Sequence, residues 1–199
     1  MGRGDKLRFV QKDMDDVHIP PESRMRLLRL ARWALEDLVQ DNQEQCEEFD
    51  DPYLQSRTYG AFVSLHNGYE LRGCVGIWTA SQPLYQNVID MTLAAASSDH
   101  RVRPVRKDEL NNIRIDISIL SPLEPAHEPL LLEVGKHGLH IARGGKHGVL
   151  LPQVATRYRW HIKTFLEQTC LKAGLPEDAW KQPGTFVSSF SALIIEEFL

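Results

Sequence analysis

The chain of 199 residues has few cysteines, no long apolar run and no strong excess of either charge. Each absence removes a class of protein. Cys46, Cys74 and Cys170 are odd in number and widely spaced, which excludes a disulfide framework. No CxxC or Cys/His pair has zinc spacing. Free thiols in a reducing compartment follow, with the cytoplasm as the expected location. No stretch approaches the ~18 apolar residues of a membrane span. The opening Met1-Gly2-Arg3-Gly4-Asp5-Lys6 lacks the apolar core of a signal peptide, and Lys6 stands where a myristoylation signal needs Ser or Thr. With 23 Lys plus Arg against 27 Asp plus Glu, the net charge of −4 argues against a broad electrostatic grip on nucleic acid or anionic lipid. The glycine signatures of dinucleotide and phosphate binding and the GxSxG of hydrolases are missing, and no motif calls for a cofactor or a metal.

What is present matches an ordinary globular chain: 42% apolar and 25% charged residues. The length suits one domain with a core large enough to need no metal or disulfide. Residues 1–20 are polar and charged and are expected to be loosely held, which leaves 21–199 as the domain. Pro20-Pro21-Glu22 starts a helix that the stripe Met25, Leu28, Ala31, Leu35 and Leu38 carries to about Gln40. Asp41 to Asp51 holds six acids and no base and reads as a solvated linker. Ser81 with Pro83 opens a second helix with apolar stripe Leu84, Val88, Met91 and Ala95; its run Ala94-Ala95-Ala96 suits close packing on a neighbour. Trp160 to Ala173 reads as a third helix ended by Gly174.

Strand signals lie between and after these helices. Ala61 to Leu65 and Tyr69 to Val75 flank Asn67-Gly68, a favoured pair for a tight hairpin turn. With those two residues as the loop, Val63 faces Arg72 and Ala61 faces Cys74. Ile113, Ile115, Ile117 and Ile119 alternate with polar residues, the pattern of a strand with one buried face. Gly138 to Arg143 and Gly148 to Leu151 form a second hairpin around Gly144-Gly145, broken by Pro152. Phe190 to Phe198 reads as a closing strand. Helices and strands mix without a βαβ rhythm, so the class is α+β, with a mixed or antiparallel sheet flanked by helices.

The chemistry centres on Leu71-Arg72-Gly73-Cys74-Val75-Gly76. Alternation along a strand puts Arg72 and Cys74 on one face, where Arg72 would favour the thiolate. Two glycines beside one cysteine mark a bulge or a close approach to the backbone. The functional reading is a reactive or ligand-contacting cysteine on a cleft floor; the plain alternative is a buried structural cysteine beside a bulge. His100 beside Asp99 is a candidate base and its orienter, against the simpler reading of Asp99 as a turn cap with Arg101 and Arg103 on a solvated loop. His137, His140 and His147 read as scattered surface histidines of the hairpin and not as a metal set. Phe62 and Tyr69 could share a face as a base-stacking pair, but core packing explains them equally well.

This hexapeptide resembles the LRGCIG signature of the AMME syndrome candidate protein family, whose bacterial and archaeal members include the AmmeMemoRadiSam system protein A. Gly60 to Val63, Ala94 to Asp99 with Arg101, Ile117 to Ser121, Leu151 to Ala155 with Trp160, and Cys170 to Leu175 with Trp180 resemble further family segments in order. The likeness runs from about Arg24 to the end. Val102 replaces the family's phenylalanine, and His100 stands where proline is usual, so no general-base role carries over to His100. The resemblance implies a two-lobed α+β fold with a cleft lined by the hexapeptide. It also implies work alongside a radical-SAM protein and a Memo-like protein, and it supplies no activity. On this reading Cys74 is the nucleophile, carrier or close contact and Arg72 holds an anion. Gly73 and Gly76 admit a small-molecule ligand to the backbone, and Asp99 and Arg101 line or brace the opposite wall.

Overall fold

Alternating isoleucines and two glycine-turned hairpins build two antiparallel sheets in a computed structural model that describes residues 17–41 and 50–197. The first sheet has the order β2-β1-β3-β8, from β1 (Gly60–Asn67), β2 (Glu70–Ile77), β3 (Ile113–Leu120) and β8 (Ala192–Glu196). The second has the order β4-β7-β5-β6, from β4 (Glu124–Pro125), β5 (Gly138–Arg143), β6 (Lys146–Leu150) and β7 (Phe186–Phe190). Helices α1 (Pro21–Gln40) and α2 (Leu84–Ser97) pack on one face of the first sheet. Helices α3 (Pro152–Arg157) and α4 (Ile162–Lys172) belong to the second. The expected α+β class holds, with helices flanking both sheets.

Two cores follow from this division. Ile113, Ile115, Ile117 and Ile119 are fully buried with Ala61, Val63 and Leu65 of β1 against α1 and α2. Leu139 and Ile141 of β5 pack with Phe165, Leu166 and Cys170 of α4. Each sheet therefore has one face committed to its own helices. The alternate residues lie on the opposite faces, where Trp78 beyond β2 meets His140 and His147 of the second sheet, and the candidate site lies on that face of the first sheet.

Several expectations need correction. In α1 the buried stripe is Ser23, Leu27, Leu30, Ala31, Ala34 and Leu35, while Met25 and Leu38 face solvent. Leu27, Leu30, Ala34 and Leu35 thus set the face turned to the core, and Arg26 and Arg32 beside it pair with Asp51 and Glu197. Residues 1–16 of the polar leader lie outside the described residues, but Val17 and Ile19 are buried in the first core. Residues 42–49 of the acidic stretch also lie outside them. At its end Asp51 is no solvated linker residue: burial opposes its charge, yet hydrogen bonds from Ser23, Arg26 and the Leu54 and Tyr53 amides hold the carboxyl below the usual range. The closing strand expected over Phe190 to Phe198 is β8, Ala192–Glu196; the first residue of that expected span, Phe190, instead ends β7 of the other sheet, and the change of sheet falls at Ser191. Neither β7 nor β8 alternates strictly and no glycine or proline marks Ser191, so sequence pattern alone does not reveal the crossing.

Candidate functional site

The first hairpin turns one residue later than its Asn-Gly pair predicts. Asn67 pairs with Glu70, leaving Gly68 and Tyr69 as the loop, and Gly68 takes φ +58°, a conformation suited to glycine. Leu65 then faces Gly73 while His66 faces Leu71, so Arg72 has no partner and forms a bulge. This single extra residue rearranges the whole hexapeptide.

Arg72 does not share a face with Cys74. It is 1% exposed and turns toward the segment after α2. There it donates to Glu109 Oε1 at 3.0 Å and Oε2 at 3.2 Å and to the carbonyls of Arg103 and Pro104. Its charge is neutralised inside the protein, so the expected anion-binding role is replaced by an internal ion pair. Gly73 leaves no room for a ligand either, because a Cβ there would lie 1.9 Å from the Ala95 carbonyl oxygen of α2. The close packing expected of Ala94 to Ala96 is this contact. At Gly76 a Cβ would fall 2.1 Å from the Phe62 ring, which occupies the space. Both glycines admit protein to the backbone and not a small molecule.

Cys74 lies on the other face. It pairs with Ser64, Ser64 pairs with Asp116, and Asp116 pairs with Glu196, so these four form one row across the sheet. Directly paired residues on one face have Cβ atoms ~5 Å apart. Ser64 Oγ donates to Cys74 Sγ at 3.2 Å, and His66 Nε2 approaches Asp116 Oδ2 at 3.4 Å. Arg114 flanks Asp116 at 3.3 Å. Burial, followed by the charges of Arg114 and of Arg157 on α3, lowers the His66 pKa against the pull of Asp116, which favours a neutral imidazole. Of the other cysteines, Cys46 lies outside the described residues, and Cys170 is buried in the second core, where burial pushes its thiol up.

Asp99 and Arg101 meet Cys74 by its backbone. The Cys74 amide donates to Asp99 Oδ2 at 2.9 Å, and Arg101 Nη2 donates to the Cys74 carbonyl at 2.8 Å. The two side chains are themselves joined, with Arg101 Nε 2.9 Å from Asp99 Oδ1. Hydrogen bonds from Arg101, then from the Cys74 and Arg101 amides, hold the Asp99 carboxyl well below the usual range despite its burial. Because β2 is an edge strand, the pair takes the place of a neighbouring strand and satisfies the outward N–H and C=O of Cys74. It braces the cysteine from its own strand edge and forms no opposite wall. His100 points to solvent and makes no pair with Asp99.

The second lobe supplies what the hexapeptide reading missed. His137 and His140 are buried, contrary to their reading as surface residues. His140 and His147 stack on each other and on Trp78, which follows β2, with ring centroids 5.5 to 5.6 Å apart. Trp78 stands two residues beyond Gly76, so this contact borders the Cys74 face. Ser64 and Asp116 were available from alternation as the outward positions of their strands. The Trp78 contact had no local signal, since its members come from different lobes. Phe62 and Tyr69 form no shared platform: Phe62 covers Gly76 and Tyr69 is fully exposed in the turn. Among the described residues no cluster of three or more metal-ligating side chains occurs, and no helix is long and apolar enough to cross a membrane.

Comparison with known proteins agrees with this architecture. A protein of Methanothermobacter thermautotrophicus is 38% identical over 177 residues, covering 86% of this chain and 92% of the relative. A protein of Aquifex aeolicus is 38% identical over 179 residues, covering 86% of this chain and 91% of the relative. The crystal structure of protein PH0010 from Pyrococcus horikoshii superposes with a TM-score of 0.83 at 36% identity, covering 90% of this chain and 93% of that one. The AMMECR1 family pattern matches residues 28–195. The chain belongs to the AMMECR1 family.

Proposed function

We propose that the protein binds a small molecule or modified group between its lobes, on the sheet face where Cys74 is the contact or reactive atom. The observation that carries this reading is the setting of the Cys74 thiol. It lies in a row with Ser64 and Asp116 on the face not used by the helices, while Asp99 and Arg101 hold its outward N–H and C=O. Held in this way, the sulfur meets a ligand without prior ordering of the strand, which lowers the entropic cost of binding. The family resemblance supports a role beside a radical-SAM protein and a Memo-like protein, which co-purification from cells of the native host would test. Cys74→Ser and Cys74→Ala are expected to keep the fold and lose at least about tenfold in ligand affinity or in rescue of a deletion strain. A folded Cys74→Ala protein with full rescue would remove the thiol from the function.

One observation favours a second reading, a protein-binding adaptor without chemistry. Arg72, Gly73 and Gly76 all serve internal packing, so much of the hexapeptide is explained by the fold alone. Partner capture that survives Cys74→Ala in the absence of any ligand would select this reading.

A further inference from the structure

The chain passes between the lobes twice, once after β3 through Ser121 and once at Ser191 between β7 and β8. The two passages are bonded to each other: the Ser121 amide donates to the Ser191 carbonyl at 3.0 Å, and the Ser191 amide donates to Ser121 Oγ at 2.9 Å. Hinges are formed by a few residues at the ends of elements, and Ser121 and Ser191 directly follow the ends of β3 and β7. Away from them, Trp78 of the first lobe meets His140 and His147 of the second. We propose that the lobes form a hinged clamp, with Ser121 and Ser191 as the hinge and the Trp78–His140–His147 stack as a latch that protonation releases.

The latch has the required chemistry. His147 Nδ1 and His140 Nε2 lie 3.3 Å apart, a contact that needs one proton between the two nitrogens. With both rings charged, two N–H groups face each other and the rings repel. His140 is 6% exposed, and its other ring nitrogen, Nδ1, has no hydrogen-bond partner, so a charge placed there is poorly supported. The surrounding elements offer little compensation. β6 contributes Lys146 and His147, β7 carries no titratable side chain, and α3 contributes Arg157. The Lys163, Glu167, Cys170 and Lys172 of α4 pack against the opposite face of β5. Across the gap the first sheet presents Cys74, His66, Asp116, Arg114 and Glu196. Of all these, His147 is the charge that bears on His140.

The direction of the switch follows. Burial, then His147, lowers the His140 pKa below its ordinary value. Closure is therefore fully supported above the ordinary histidine value of ~6.5 and is lost as pH falls through the lowered one. Opening would uncover the face that holds Cys74; that consequence, though not the latch itself, rests on the function proposed above.

The test uses the full chain and a His140→Phe/His147→Phe variant, which keeps the stacking and cannot titrate; His147→Phe alone serves if the double variant does not fold. Small-angle scattering and iodoacetamide labelling of Cys74, read by peptide mass, are followed from pH 8 to pH 5 with far-ultraviolet dichroism monitoring the fold. The wild type is expected to expand, and its labelling rate relative to the variant to rise about tenfold, at a midpoint below ~6.5. Unchanged scattering and a constant rate ratio in a folded wild type would overturn the latch while leaving the ligand site standing. Expansion together with a fully functional Cys74→Ala protein would support the latch and remove the ligand site.

Discussion

Gly73 and Gly76 are three positions apart on one strand, yet they are held by different constraints. At Gly73 the obstacle is backbone, the Ala95 carbonyl of α2, and neither α2 nor β2 can move without disturbing the first core. At Gly76 it is the Phe62 ring, met at Cγ and both Cδ atoms, so a Cβ would force Phe62 into another rotamer but would not press on backbone. Gly73→Ala should therefore destabilise by about 3 kcal/mol and Gly76→Ala by about 1 kcal/mol, as read from urea midpoints at constant slope. Equal losses at the two sites would show that the α2 contact is more compliant than its geometry implies. Arg72 carries a related lesson. An arginine beside a cysteine reads naturally as a thiolate partner, but a bulge gives it the other face and Glu109 takes its charge.

At the scale of elements, side chains take over in the first sheet where strand pairing stops. Asp99 and Arg101 cover β2 at Cys74. Glu197 bonds Ile115 beyond the end of β8 and is gripped by Arg32 of α1. Such clips guard edge strands against pairing with another chain. Asp99→Asn should cost about 1–3 kcal/mol and speed hydrogen exchange at the Cys74 amide. Because the folded pKa of Asp99 is lowered, its contribution is fully present above the ordinary carboxylate value of ~3.9 and is lost only as pH falls through the folded value. The stability gap between wild type and Asp99→Asn should thus stay constant from pH 7 to pH 5. A gap that shrinks across that range would mean the clip is not held by the ionised carboxylate.

For the whole molecule, the decisive feature is two cores connected by two strand crossings. Phe165 is fully buried among Leu139, Ile141 and Leu166, with no member of the first core beside it in that cluster. Phe165→Ala should cost the second lobe about 3–5 kcal/mol. Native-state hydrogen exchange should then show protection falling in β5, β6 and α4 while β1 and β3 retain theirs. Uniform loss across both sheets would instead show one cooperative unit, and would leave the hinge without independent bodies to move.

Local pattern was enough to read much of this protein. The isoleucine alternation of β3, the Gly144-Gly145 hairpin and the reach of α1 to Gln40 depend on neighbours within a few residues, and periodicity records such neighbours directly. The hexapeptide at Cys74 was legible for the same reason, as a cysteine flanked by glycines on a strand. What each of its residues touches was not legible, because one bulged residue reverses the face of Arg72, and Gly73 beside it lies against α2, which is distant in the chain. The row of Cys74, Ser64 and Asp116, the change of sheet at Ser191 and the meeting of Trp78 with two histidines join segments far apart in the chain. Sequence alone determined the elements and singled out the cysteine. Only the tertiary structure decided which groups surround it, since contacts between lobes leave no periodic trace in either lobe's sequence.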